Sequence, residues 1–365
     1  MIGNNNIKSM LWIIFYLVLI DIGVNIIFKF PPNPQKNPPS LLQGYFEYGR
    51  SIEGKFKKMA FAAQFQTDPT LGYGWVERHE NDSQPRIAEK NQTLVAVYGM
   101  SHTKLLADAM SKLNNKFVIR SICAPGAPVG WGYTAYSLDK DQHFAEIVIW
   151  GIMTDNVPFI GATLGATIYF DLGHPYTFPR YYVKEGTLKI ISPPFLSQEG
   201  YHEYRNNRSK WQEYIEWLKM NDKFYDSFLF KEGLSDCSVF VRVIRRAYAE
   251  TVREKAFNRV YTKDGFKSDS EEIVALRMMV EEFAESARKK KRLPVIYIVN
   301  NRGRGNHLYK ALKPTLDEKK IPFLSSHFIC PPDDPNSFIP SDPHFTPAKD
   351  FELAKEMIRI IEKER

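Results

Sequence analysis

Five short apolar runs recur along the later part of the chain, at residues 94–98, 117–122, 146–151, 294–299 and 322–325. Uninterrupted apolar runs of this length are typical of strands that are buried on both faces. Apolar residues with helical spacing follow several of these runs, which predicts helices at residues 103–113, 269–290, 306–319 and 348–363. Because buried strands alternate with helices, we expect an α/β fold with a parallel sheet.

The N-terminal segment has a different pattern. Residues 10–28 are nineteen mostly apolar residues, which is just long enough to cross a hydrocarbon core as a helix. Asp21 and Asn25 interrupt the run, and a carboxylate at that depth must be neutralised, displaced towards an interface or paired with another helix. The run ends at large residues and two prolines rather than at a cleavage site, so an uncleaved anchor is favoured over a signal peptide or a buried helix. The charges on either side do not settle the orientation.

These patterns divide the chain into three parts. Residues 1–30 are the transmembrane anchor, and residues 31–92 are a proline-rich linker, a membrane-proximal helix at 41–62 and an irregular lead-in from Thr67 to Gln92. We expect the linker to be extended and to hold the following domain away from the membrane. Residues 93–365 are the α/β domain, in which residues about 159–266 do not alternate and form a large helical and irregular insertion over the sheet.

Composition narrows the classes of partner. The net charge of +7 is compatible with nucleic acid, anionic lipid or anionic polysaccharide, but no zinc-finger, RNA-recognition or helix-turn-helix signature supports a nucleic-acid partner. The basic cluster at Lys55, Lys57 and Lys58 is either a solvated helix face or a contact with lipid headgroups or an anionic polymer.

The three cysteines, Cys123, Cys237 and Cys330, are far apart and show neither metal-ligand spacing nor a disulfide framework. Three buried thiols are favoured over one disulfide with one free thiol. The sequence predicts no metal and no organic cofactor.

Ser101 stands where the first strand meets the first helix of the α/β domain. A serine at such a junction is either a nucleophile near the positive end of the helix dipole or a helix N-cap. In a parallel sheet, ligands bind outside the carboxyl ends of the strands, and this position favours the nucleophile.

Asp342 and His344 lie together just before the last predicted helix. A histidine oriented by a carboxylate can take the proton of a serine hydroxyl, and the carboxylate fixes its tautomer and stabilises the imidazolium. The alternative is a polar turn that leads into the helix.

Taken in order, these blocks resemble those of the SGNH hydrolases, also called GDSL-type esterases. The resemblance covers residues 93–365 and implies a flavodoxin-like three-layer α/β/α sandwich with Ser101 as nucleophile, His344 as general base and Asp342 as its orienter. It also implies that Gly126, with Gly130 in reserve, and Asn156 form the oxyanion hole. The chain departs from the family pattern at three places, which are Met100 for an acidic residue, the reversed pair Asp155-Asn156, and an Asp-His spacing that is one residue short.

Many SGNH hydrolases that resemble this chain in having an N-terminal membrane anchor belong to cell-envelope polysaccharide systems, where they remove acyl groups from sugars or transfer them. The resemblance therefore implies a serine-dependent carbohydrate esterase or O-acyltransferase with an extracytoplasmic domain, an acylated glycan as substrate and polysaccharide-assembly proteins as partners. The alternative is a non-catalytic scaffold or polysaccharide-binding protein of the same fold. A weaker third hypothesis is a basic anchored protein that recruits nucleic acid or lipid.

Overall fold

The central sheet is built from the five predicted apolar runs, each extended by one to three residues or shortened by one. The computed structural model describes residues 4–32, 36–63, 74–77, 83–340 and 342–365, with only the backbone described for residues 4–6 and 59–63. Parts of the predicted linker and lead-in, at residues 33–35, 67–73 and 78–82, lie outside the described residues, as does Ser341. The strands are β1 Thr93–Met100, β2 Phe117–Ala124, β3 Ile147–Met153, β4 Arg180–Lys184, β5 Thr187–Ile191, β6 Tyr261–Thr262, β7 Gly265–Phe266, β8 Leu293–Val299 and β9 Phe323–Ser325.

The sheet is parallel throughout, and its strand order is β2-β1-β3-β8-β9. This is the flavodoxin-like order, with the reversal of direction between β1 and β3. Right-handed crossovers then place the β1–β2 helix on one face and the later crossover helices on the other. The predicted α/β fold with a central parallel sheet is confirmed.

Along the described chain, helices precede, separate and follow the strands. They are α1 Asn4–Ile27, α2 Leu41–Tyr48, α3 Ile52–Ala63, α4 Ser101–Leu113, α5 Val129–Asp139, α6 Gly165–Ile168, α7 Gln198–Asn206, α8 Arg208–Asn221, α9 Ser227–Phe230, α10 Val239–Val260, α11 Glu271–Lys289, α12 His307–Glu318 and α13 Pro347–Glu364. On one face α4 packs against α13, and on the other α5 and α11 cover β1, β3 and β8. The apolar side chains that the spacing predicted for α13, such as Leu353 and Met357, are buried.

By contact pattern the described chain divides into two compact units. One comprises Met1–Leu71, Ala166–Pro175 and Phe224–Glu254, and the other Gly72–Gly165, Tyr176–Lys223 and Lys255–Arg365. Residues 159–266 hold α6 to α10 and the antiparallel pairs β4–β5 and β6–β7, and they contribute to both units. The three predicted parts and the insertion boundaries stay predictions.

Helix α1 contains one apolar stretch, Ile7–Ile27, that is long enough to cross a membrane. None of the residues in this stretch is buried against the described part of the chain. The end of this helix packs against α2, the first helix after the linker, because Phe28 contacts Phe46 and Gln43 donates a hydrogen bond to the Lys29 carbonyl at 2.9 Å. These contacts join the end of α1 to α2, and the expectation that the linker holds the following domain away from the membrane stays a prediction.

The predicted helix at 41–62 is two helices, α2 and α3, with a break at Gly49. A Cβ at Gly49 would lie 2.0 Å from the Arg242 carbonyl oxygen, so only glycine permits this approach of the α10 backbone.

A buried polar network joins α5 to the first two strands. The Asp139 carboxylate at the end of α5 accepts hydrogen bonds from Arg120 Nε at 2.9 Å and from the Tyr98 hydroxyl at 2.8 Å, and all three side chains are fully buried. The Tyr98 hydroxyl also lies 2.8 Å from His143 Nε2, and burial lowers the pKa of His143 to about 4. A charge at this depth is tolerated because every partner is present.

We expect Asp139→Ala to lower the free energy of unfolding by about 3–5 kcal/mol, because it leaves the Arg120 guanidinium buried without its counter-ion. Urea unfolding of the detergent-solubilised chain, followed by tryptophan fluorescence, measures this loss. Lys104→Ala is the matched control, since it removes the exposed Lys104–Asp108 pair and costs at most ~1 kcal/mol. Equal costs for the two variants would show that the buried network does not stabilise the fold.

Candidate active site

The ends of β1 and β3 approach each other at two glycines. Gly99 has φ +141°, and a Cβ there would lie 2.8 Å from the Gly151 carbonyl oxygen. A Cβ at Gly151 would lie 1.8 Å from Thr103 Oγ1, and Thr103 is fully buried in the first turn of α4. The two glycines therefore make the space that seats Thr103, and this fixes where α4 begins.

Ser101 is the first residue of α4, and the N-cap position belongs to Met100, which makes no side-chain capping bond. The Ser101 hydroxyl lies 2.7 Å from His344 Nε2. The interpretation of Ser101 as the helix N-cap is therefore wrong. The Met100 side chain is buried, and its sulfur accepts a hydrogen bond from Thr103 Oγ1 at 3.2 Å. A thioether–threonine contact therefore holds this loop.

Asp342 reaches His344 in spite of the shortened spacing. One carboxylate oxygen, Oδ1, accepts from the His344 backbone N–H at 2.8 Å and from its ring Nδ1 at 2.5 Å. These two hydrogen bonds lower the pKa of the Asp342 carboxyl. With the proton on Nδ1, Nε2 is an acceptor for the Ser101 hydroxyl. The structure thus brings the three predicted residues into one hydrogen-bonded chain.

His102 is a neighbour that the sequence did not single out. Its ring stacks on that of His344, with centroids 4.7 Å apart and planes at 23°, and meets the edge of Phe345 at 5.2 Å. Its Nε2 donates to the Pro343 carbonyl at 3.2 Å, while its buried Nδ1 has no hydrogen-bond partner among the described residues. Burial lowers the pKa of His102 to about 4, and His344 acts in the same direction. His102 is therefore a neutral support for the loop that carries Asp342 and His344.

Gly126 and Asn156 also lie together. Gly126 lies in the turn after β2 and has φ +62°, a backbone conformation that glycine adopts without steric strain. Asn156 lies in the 3₁₀ turn Thr154–Phe159 after β3, and its side-chain amide donates to the Ala127 carbonyl at 2.9 Å and, at 3.5 Å, to that of Gly126. The amide thus ties the two loops together, and its donation to an oxyanion stays a prediction. Gly130 lies beyond this turn, within α5.

Asp155, the first residue of the reversed pair Asp155-Asn156, contacts the loop after β8. Its backbone N–H donates to Asn301 Oδ1 at 2.9 Å, and its carboxylate accepts from Arg304 Nε at 3.0 Å. Asp155 therefore faces the loop after β8, while Asn156 faces the loop after β2.

The described part of the chain contains no candidate metal site. No group of three or more His, Cys, Asp or Glu side chains there could hold a metal ion. All three cysteines are free thiols, but only Cys123 and Cys330 are buried, so the prediction of three buried thiols is wrong for the exposed Cys237.

The comparisons with known proteins do not assign this chain. No family model matches it, and no curated protein matches it. Among solved structures, a candidate acylhydrolase from Bacteroides fragilis is 11% identical with a TM-score of 0.37, over 80% of this chain and 96% of that chain. So distant a likeness carries no argument about this protein.

We expect Gly151→Ala to displace the start of α4, because the new methyl group would occupy the space of Thr103 Oγ1. The cost in the free energy of unfolding is about 1–3 kcal/mol, as for other overpacked cores. Thermal unfolding of the solubilised chain measures it. The double variant with Thr103→Ala removes the clashing oxygen and should recover part of the loss, and a double variant less stable than the sum of the singles would contradict this account.

His102 makes a pH-dependent contribution to stability. Its folded pKa of about 4 lies below its ordinary value of 6.5, so between these pH values the unfolded chain binds more protons and stability falls as the pH falls. We expect His102→Asn to lose less stability than the wild type over this range, with a difference of up to about 3 kcal/mol. Urea unfolding at pH 7 and pH 4.5 measures it. Parallel pH profiles for the two proteins would show that His102 is not held neutral.

Proposed function

We propose that this chain is a serine-dependent esterase or O-acyltransferase that acts on an acylated extracytoplasmic glycan. The observation that carries the proposal is the chain of hydrogen bonds from Ser101 Oγ to His344 Nε2 and from His344 Nδ1 to Asp342 Oδ1, at 2.7 and 2.5 Å. These distances are within the reach that proton transfer between nucleophile and base requires. They support the catalytic hypothesis over the non-catalytic scaffold.

The first half-reaction transfers the acyl group to the enzyme. Ser101 Oγ forms a bond to the ester carbonyl carbon while His344 Nε2 takes the hydroxyl proton, and Asp342 stabilises the resulting imidazolium. The imidazolium then gives its proton to the leaving sugar oxygen as the carbon–oxygen bond breaks. The product is an acyl-Ser101 ester and a free sugar hydroxyl.

The developing oxyanion needs donors in place before the reaction. The N–H groups of the first turn of α4 have no partner within the helix, and the helix dipole favours negative charge there. In this proposal the Ser101 backbone N–H, the Gly126 N–H and the Asn156 amide donate to the oxyanion. Each such donor is worth about 3–4 kcal/mol in the transition state. The contacts between the Asn156 amide and the loop of Gly126 support a common position for these two donors.

The second half-reaction decides between the two activities. Water activated by His344 releases the acid in an esterase, and a sugar hydroxyl takes the acyl group in an acyltransferase. The same residues serve both outcomes, so the acceptor that reaches the acyl-enzyme makes the difference.

The proposed location is the outer face of a membrane, with α1 as a single-pass anchor. The length and apolar composition of Ile7–Ile27 support the anchor. The substrate class follows from the resemblance to SGNH hydrolases, and the net charge of +7 suits an anionic polymer. Polysaccharide-assembly proteins are the proposed partners.

We expect Ser101→Ala to reduce hydrolysis of p-nitrophenyl acetate by the detergent-solubilised chain by at least ~10³-fold, because the nucleophile and its proton-transfer partner act as a unit. The matched control is Ser111→Ala on the same helix, whose hydroxyl donates to the Asp108 carbonyl at 3.0 Å and whose loss should leave the rate unchanged.

Equal rates in the wild type and Ser101→Ala would remove Ser101 from the mechanism and favour the non-catalytic scaffold. If neither protein hydrolyses the ester, the same pair is compared for transfer of a labelled acetyl group to a glycan acceptor. A strict transferase labels the acceptor only when Ser101 is present.

A further inference from the structure

In the unit that contains α1, the surface at the start of α10 exposes large apolar side chains, while most charged side chains there are buried. From residue 234 to residue 248 the exposed large side chains are apolar or aromatic, with Leu234 at 92%, Phe240 at 39%, Ile244 at 62% and Tyr248 at 38% of full exposure. Phe240, Ile244 and Tyr248 recur every four residues and so share one helix face. We call these four residues, with the exposed Cys237, the 234–248 patch.

Three of the four charged side chains of the same stretch are buried, and the fourth, Arg246, is 30% exposed and pairs with Asp171 at 2.8 Å. Asp236, Arg242 and Arg245 are 2%, 8% and 1% exposed. Asp236 accepts from Arg245 at 2.6 Å and from the Ser51 backbone N–H at 2.9 Å, while its carbonyl accepts from Arg242 Nε at 2.7 Å. Charges inside and apolar groups outside are the reverse of a surface made for water.

Asp21 and Asn25, two polar residues within the apolar span of α1, form hydrogen bonds to the backbone at the start of α10. One Asp21 carboxylate oxygen accepts from the backbone N–H groups of Val239 and Phe240, at 2.6 and 3.2 Å, and so caps the start of α10. The Asn25 amide donates to the Cys237 carbonyl at 3.0 Å. The two polar groups that interrupt the apolar span thus satisfy backbone groups of residues 237–240, as polar groups inside a membrane require.

Helix geometry gives the depth of this contact. Asp21 precedes the end of the span at Ile27 by six residues, which is about 9 Å along a helix. The span is only just long enough to cross a hydrocarbon core of ~30 Å, so it cannot slide far enough to bring Asp21 into water. The start of α10 is therefore held below the level at which α1 leaves the membrane.

We propose that the 234–248 patch is a second membrane contact, embedded in lipid beside α1. The proposal rests on the anchoring of α1 proposed above. Lipid is the occupant because the patch is continuous with the span through Asp21 and Asn25. Exposed charges resume beyond the patch, at Glu250, Arg253 and Glu254, as expected where α10 returns to water. Helix α2 carries further exposed apolar and aromatic residues, Leu41, Leu42, Tyr45 and Tyr48, and tyrosine is enriched at membrane interfaces.

The native Cys237 allows a test without a substitution in the patch. The full chain is reconstituted in vesicles of phosphatidylcholine and phosphatidylglycerol and labelled with a thiol-specific nitroxide. Cys123 and Cys330 stay unlabelled, because both are buried and burial raises the pKa of each thiol to about 12. Collision with apolar oxygen is compared with collision with a water-soluble nickel chelate.

Three further labels, each in a Cys237→Ser background, give the comparison. Ile244→Cys probes the patch, Thr251→Cys probes the exposed residue seven positions further along α10, and Phe15→Cys probes the anchor itself. We expect the oxygen-to-nickel collision ratio at Cys237 and Ile244→Cys to be several-fold higher than at Thr251→Cys, and close to that at Phe15→Cys.

Two outcomes separate this proposal from its premise. If Phe15→Cys lies in lipid while Cys237 and Ile244→Cys collide with nickel as readily as Thr251→Cys does, the patch faces water and the proposal is overturned alone. If Phe15→Cys itself is accessible to nickel, the anchor fails and the patch proposal fails with it. Exclusion of both collision agents from the patch would also overturn it, in favour of a second copy or a partner helix as the occupant.

Discussion

The candidate site depends on the space that two glycines leave at the ends of neighbouring strands. Gly99 and Gly151 have no side chains where Thr103 is buried, and a single methyl group at Gly151 would overlap the Thr103 hydroxyl. With Thr103 seated there, its hydroxyl bonds to the Met100 sulfur and α4 begins at Ser101. The position of Ser101 is thus a consequence of backbone approach rather than of any bond that the serine makes itself.

The two residues that are hydrogen-bonded in series to Ser101, His344 and Asp342, come from the other end of the domain. Packing of α13 against α4 brings the loop of Asp342 and His344 over Ser101, and His102 supports that loop through its stack on His344 and its bond to Pro343. Residues 101 and 102 on one helix thereby make two contacts with one loop 243 and 241 residues away. Such a geometry holds only while the packing between the two helices holds, so the stability of the fold and the proposed chemistry are linked.

The unit with α1 obeys a different constraint. Its buried centre is ionic, with Asp236 between Ser51 and Arg245, and part of its outer face is apolar. Buried ion pairs are a poor source of stability in themselves, but here they take charged groups off the face that we propose to lie in lipid. Asp21 and Asn25 follow the same rule, because a polar side chain in an apolar span is costly unless it has a hydrogen-bond partner, and each of them has one.

Local pattern was sufficient for the strands of the central sheet and for helices α4, α11, α12 and α13, but it did not predict α5 or the pair β4–β5. Apolar runs predicted all five strands of the sheet, because buried parallel strands need no partner to be recognised, and Ser101, Asp342 and His344 stood out because each lies where a strand or loop meets a helix. Only the tertiary structure decided what depends on contacts between distant residues. These are the neutral state of His102, the tie between Asn156 and the loop of Gly126, and the partners of Asp21 and Asn25 more than 200 residues away. No periodicity records such contacts, because they are set by how elements pack and not by the order of residues within one element.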